Sequence, residues 1–178
     1  MKKIFYILTI CLFKFNFAYS LIEVDITRGN LDPLPIAVSP LHVDVKSDDY
    51  QDIKVKSLGD LISSVVEKNF KSTGLFNPLN KDAFVQKPDI AHLKPRFEDW
   101  SLITAQALVT GKILVKDQKL KIEFRLWDIA ANKEMIALAF TTTPSNWRRV
   151  AHIISDKIYE RLTGETGYFD TRIIYVSE

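Results

Sequence analysis

The sequence predicts an α+β fold: an antiparallel or mixed sheet of about five strands covered by two main helices. Three observations carry that prediction. Leu58, Leu61, Ile62, Val65, Val66 and Phe70 recur at steps of three and four, which is one face of a helix. Trp147, Val150, Ala151, Ile154, Ile158 and Leu162 trace a second such stripe. Between them, residues 107–115, 119–128 and 134–142 read as three strands in succession, with turns at Asp117-Gln118 and Ala131-Asn132. In Lys121-Ile122-Glu123-Phe124-Arg125-Leu126 the alternation is complete, so one sheet face must be covered and the other is wetter. At 178 residues and 47% hydrophobic, the chain can bury a core of ordinary domain size.

Taken from the start, residues 1–20 read as a cleavable secretory signal. Lys2 and Lys3 precede an apolar run from Ile4 to Phe13, and Ala18-Tyr19-Ser20 offers small side chains for cleavage between Ser20 and Leu21. A run of that length rises only about 15 Å as a helix, half of a hydrocarbon core, and Lys14 ends it. The product is therefore expected to be soluble after cleavage. The sole cysteine, Cys11, falls inside this leader, so the exported chain has no thiol chemistry and no disulfide.

An arm follows over residues 21–31. Ile22, Val24 and Ile26 alternate with Glu23, Asp25 and Thr27, an extended amphipathic pattern. Asp32-Pro33-Leu34-Pro35 forms a stiff elbow in which two prolines oppose helix and central strand alike. The domain proper is expected over residues 32–164. Ile36-Ala37-Val38 reads as a short buried strand stopped by Pro40, and residues 41–57 as a solvated loop rich in aspartate. Ser57 and Asp60 suit a capping box for the first helix, with Gly74 past its end. Residues 75–79 are extended, 80–96 a loop, and 98–103 a short helical turn around Trp100. Thr143-Pro144 opens the second helix, which stops at Gly164. Residues 164–167 read as a flexible hinge, and residues 169–176 as one more apolar strand without a partner.

Charge and motifs exclude several function classes. Of 24 basic side chains, Lys2, Lys3 and Lys14 belong to the leader, which leaves 21 against 22 acidic, so the exported part lacks the positive field nucleic acid requires. His42, His92 and His152 show no metal-ligand spacing, and the aspartates Asp44, Asp48, Asp49 and Asp52 do not follow the calcium-loop order. Gly111-Lys112 lacks the preceding glycine of a phosphate loop, because Gln106 stands there. Neither a cofactor, a metal, a small-molecule substrate nor a catalytic residue is indicated. In Trp147-Arg148-Arg149 the tryptophan belongs to the buried stripe, and the arginines are expected to pair with acids of a neighbouring element. The arm is the remaining candidate. An isolated alternating segment at a new amino terminus either adds to another protein's sheet edge or pairs within its own.

Several stretches are specific enough to point to a family. Leu108-Val109-Thr110-Gly111, Phe124-Arg125-Leu126-Trp127-Asp128, Phe140-Thr141-Thr142-Thr143-Pro144, Asn146-Trp147-Arg148-Arg149-Val150-Ala151-His152 and Tyr159-Glu160-Arg161-Leu162-Thr163-Gly164-Glu165 resemble the TolB family of periplasmic Tol-Pal components. So do Asp32-Pro33-Leu34-Pro35 and Gly167-Tyr168-Phe169-Asp170. The resemblance implies a non-enzymatic periplasmic protein that couples inner-membrane and outer-membrane partners, maintains outer-membrane integrity and supports cell division. It implies an amino-terminal α/β domain followed by a β-propeller. It assigns binding of the inner-membrane protein TolA to the arm, here Leu21, Ile22, Glu23, Val24, Asp25, Ile26 and Thr27. It assigns most contact with the lipoprotein Pal to the propeller. Residues 165–178 would then be the hinge and truncated first propeller strand, which leaves Pal binding unsupported for this chain. The alternative expectation is a truncated, exported but inactive remnant of such a protein.

Overall fold

The computed structural model describes residues 22–24, 32–45, 57–117 and 119–171. The leader with its cleavage point between Ser20 and Leu21, the arm residues Leu21, Asp25, Ile26 and Thr27, and the expected final strand past Thr171 lie outside the described residues. Six strands form one mixed sheet: β1 (Leu34–Val38), β2 (His42–Val45), β3 (Phe76–Pro78), β4 (Ala107–Lys116), β5 (Lys119–Asp128) and β6 (Lys133–Thr142). The helices are α1 (Leu58–Thr73), α2 (Pro88–Ala91), α3 (Phe97–Leu102) and α4 (Trp147–Thr163).

The order across the sheet is β3-β1-β4-β5-β6, with β2 also paired to β4. β1 and β2 are both parallel to β4, β1 against Ala107, Leu108 and Val109 and β2 from Lys112 to Val115. They lie along one side of β4, separated at Ser39, Pro40 and Leu41. The meander β4-β5-β6 is antiparallel throughout, as the alternation predicts. Its turns use left-handed Asp117 (φ 49) and Asn132 (φ 53), residue types that tolerate that conformation.

Alternation divides the sheet residues between two faces. Val109, Ile113, Val115, Leu120, Ile122, Phe124 and Leu126 join the buried stripes of α1 and α4 in the main core. Each such side chain contributes about 1.5–3 kcal/mol when fully buried. On the opposite face Ala37, Leu108, Trp127 and Ile129 pack under Ala91, Trp100 and Ala105, so α2 and α3 cover only one end. Trp100 is fixed there by its Nε1–H, which donates to Gln86 Oε1 at 3.0 Å.

Several sequence expectations are corrected. Pro35 lies inside β1, a strand flanked by β3 and β4. It is accommodated because pairing with β4 begins only at Ile36, so no donor is needed, while its carbonyl accepts from Gln106 N–H at 3.0 Å. The polar segment after Pro40 contains β2, whose pairing partner lies about seventy residues away and leaves no local signal. The loop over 80–96 holds a 3₁₀ turn and α2. Ser57 is the N-cap of α1 but makes no side-chain cap bond to it, and Leu61 on the predicted stripe is 40% exposed. Thr143-Pro144 opens a 3₁₀ turn, Pro144–Asn146, and α4 starts at Trp147, which is half-buried. Both main helices end on glycine in the left-handed region, Gly74 (φ 71) and Gly164 (φ 76), as expected.

Candidate partner-binding site

Within residues 22–24, Ile22 and Val24 are half-buried against the main core while Glu23 is exposed. The period of two read from the sequence is therefore expressed in the packing. No strand forms there; two backbone N–H groups hold the segment instead.

Ile22 N–H donates to Asp128 Oδ2 at 3.1 Å. Asp128 closes β5 and is only 1% exposed; its other oxygen, Oδ1, accepts from Ala131 N–H at 2.8 Å. One carboxylate thus braces the β5–β6 turn and receives the arm. Val24 N–H donates to the Leu162 carbonyl at 2.7 Å. Leu162 lies in the last turn of α4, where carbonyls lack an intrahelical donor and carry the negative end of the helix dipole. The arm fills a valence the helix leaves open.

The sequence singles out Ile22, Glu23 and Val24 as candidates but gives no sign of their seat. Ile22 and Asp128 are 106 residues apart, and no local pattern joins them. The available signal was an aspartate ending an apolar strand just before a turn, a charge that must find donors once buried.

The chain leaves α4 by a second tether. Asp156 Oδ1 accepts from Phe169 N–H at 2.7 Å, and its Oδ2 from Asp170 N–H at 3.0 Å. Arg149 Nε donates to Asp170 Oδ2 at 3.1 Å, so this arginine does pair with an acid of a neighbouring element. Arg148 instead lies over the Trp147 ring, 4.9 Å from its centroid. At Gly167 an added Cβ would stand 2.4 Å from Asp156 Cα, so only glycine allows this approach. Phe169 and Tyr168 set their rings against Tyr159, whose hydroxyl is pushed above its usual pKa by burial, then by Tyr168 and Glu165. Residues 164–167, expected as a flexible hinge, bend at Gly164 and Glu165 and lead into these contacts.

The remaining candidate chemistry resolves into structural contacts. Asn69 Nδ2 donates to His152 Nδ1 (3.0 Å) and Ser155 Oγ (2.8 Å), joining α1 to α4. The buried Ser155 hydroxyl donates to Ala151 O at 3.0 Å, so its proton serves the helix backbone rather than a base. His42 and His92 stack at 4.7 Å, a pairing between β2 and the end of α2 that sequence spacing does not reveal. Among the described residues no group of three or more His, Cys, Asp or Glu side chains is placed to hold a metal ion. Among them no helix is long and apolar enough to cross a membrane.

Residues 22–135 match the family model of the TolB amino-terminal domain. The Tol-Pal system protein TolB of Pelagibacter ubique (strain HTCC1062) is 70% identical over 163 residues, spanning 90% of this chain and 36% of that protein. The crystal structure of TolB from Acinetobacter baumannii superposes with a TM-score of 0.60 at 19% identity, covering 85% of this chain and 32% of that one. The latter likeness is one of fold. This chain spans about a third of the length of either relative.

Proposed function

Because the chain belongs to the TolB family, we propose that it is a non-enzymatic periplasmic component of the Tol-Pal envelope system whose arm, Leu21 to Thr27, binds TolA by strand addition. In this role it couples inner-membrane and outer-membrane partners, maintains outer-membrane integrity and supports cell division. Cleavage between Ser20 and Leu21 creates the arm as it delivers the protein to the periplasm. Residues 165–178 lead toward a propeller, and the Pal contact is no part of this reading.

The observation that carries it is the fastening of the arm's described residues, 22–24. Two backbone hydrogen bonds and two half-buried side chains secure residues 22–24. Each bond contributes about 1 kcal/mol net. A partner's sheet edge offers Val24 N–H and its neighbours a ladder of equivalent bonds, together with a face for the alternating apolar side chains. A ladder of such bonds would exceed the two that hold residues 22–24. Docking on the seat uses the Ile22 and Val24 N–H groups, so strand addition through that same edge of the arm excludes docking.

The direct test is recovery of TolA on immobilised exported protein with and without residues 21–27. Loss of TolA from the truncated form is expected, and equal recovery from both sinks the proposal. Mass spectrometry of protein recovered from the periplasm should find Leu21 as the first residue.

A further inference from the structure

Among the described residues β6 presents a long outer edge without a strand partner. β6 ends the sheet order, and among the described residues no strand pairs with its far side. Natural edge strands are blunted by charge, proline, bulges or brevity. Here those devices are confined to the first residues. Lys133 and Glu134 are charged, and the register shift opposite Leu126 and Trp127 makes Met135 a bulge. Residues 136–142, Ile-Ala-Leu-Ala-Phe-Thr-Thr, carry no charge, no proline and no bulge. That stretch presents a straight row of backbone donors and acceptors, with Leu138 38% exposed on it.

The two faces of this edge differ in chemistry. Ile136, Leu138 and Phe140 pair with Leu126, Phe124 and Ile122, on the core side. Ala137, Ala139 and Thr141 pair with Arg125, Glu123 and Lys121, on the side α2 and α3 leave open. Lys121 Nζ lies 2.8 Å and Lys112 Nζ 3.7 Å from Glu123, and Arg125 Nε lies 3.0 Å from Glu134. Three cations here face two carboxylates. In keeping with that excess, Glu123 is held below the usual carboxylate range by the hydrogen bond from Lys121, with Lys112 and Arg125 adding to it. A depression of about 220 Å³, lined in part by His92, Lys112, Glu123, Arg125, Ala137 and Ala139, occupies this face. The small side chains of β6 leave it open toward the edge. A strand added beside β6 would lie about 10 Å from β5, a gap that a glutamate can close with Arg125 or Lys121.

We infer that the β6 edge is an acceptor for an extended segment of another protein in which apolar and acidic side chains alternate, apolar toward Leu138 and acidic toward Arg125 and Lys121. This surface is separate from the arm, and the inference does not rest on the arm's role. The probe is a soluble peptide of about eight residues alternating valine with glutamate, a strand's length, followed by fluorescence anisotropy on the exported chain. A valine-lysine peptide is its counterpart. The valine-glutamate peptide should bind saturably and at least about tenfold more tightly than the lysine peptide. Ala137→Glu and, independently, Ala139→Glu should each weaken it about fivefold or more while improving the lysine peptide. Leu138→Lys should weaken both. These three side chains are exposed, and circular dichroism checks that each variant keeps its fold. Absence of saturable binding by the glutamate peptide, equal binding of the two peptides, or variants indistinguishable from the parent would each overturn the inference.

Discussion

The arm and the segment that leaves α4 invite comparison, because both are tied down by a carboxylate yet held to different degrees. The arm offers one N–H to Asp128 and one to Leu162 O. The outgoing segment offers two successive N–H groups to Asp156 alone, adds the Arg149–Asp170 ion pair, and closes on an aromatic group around Tyr159. Asp156 has this segment as its principal duty, whereas Asp128 also braces a turn that needs it whether or not the arm is present. The difference separates a segment with several fastenings of its own from one held at a carboxylate that keeps a second donor, Ala131 N–H, when the arm leaves.

The sharpest way to break this contrast is at Asp156. Asp156→Ala removes both charge-assisted bonds of the outgoing segment, and a loss of about 2–3 kcal/mol is expected in urea denaturation, with fast amide exchange at Phe169 and Asp170. Asp128→Asn should be milder. Its Oδ1 still accepts from Ala131, but its amide meets Ile22 N–H donor against donor. Hydrogen exchange should report release of Ile22 and Val24 with about 1 kcal/mol lost overall, and TolA recovery should rise. A variant that unfolds as readily as Asp156→Ala would show the two tethers to be equivalent.

The smallest effect is a reference remote from both tethers. Glu67 on α1 has its pKa raised by burial, against the opposing pull of Lys81, whose Nζ lies 3.3 Å from Glu67 Oε1 but is also bound to Ser63 Oγ at 2.9 Å. The folded state therefore holds this proton more tightly than the unfolded chain. Stability from the group is full below the carboxylate range and lost as pH rises through it. Glu67→Gln should stabilise the domain by less than about 1 kcal/mol at neutral pH, an advantage that thermal melts should show vanishing as pH falls through that range.

What the sequence disclosed follows the range of the interactions. The stripe from Val150 to Leu162 and the alternation in β5 are local periodicities, and both became core faces as read. β2 escaped notice because its four residues pair with β4 about seventy residues away and sit among polar neighbours. Pro35 misled because the rule against proline in a central strand relaxes where a ladder has not yet begun. The arm's alternation was legible, while its seat on Asp128 and Leu162 was not, since backbone bonds to distant groups leave no side-chain pattern. The β6 edge was read as a strand, and only the sheet order made it the last one.

The two tethers also define a path for mechanical load. Val24 meets α4 at Leu162 and Phe169 meets it at Asp156, six residues apart, or about 9 Å of helix. Tension applied between Val24 and Phe169 crosses fewer than two turns of α4 while these contacts hold, and only the Ile22 bond to Asp128 leads into the sheet. The two bonds of residues 22–24 are the weaker fastening in that line, so tension is expected to release them before the outgoing segment.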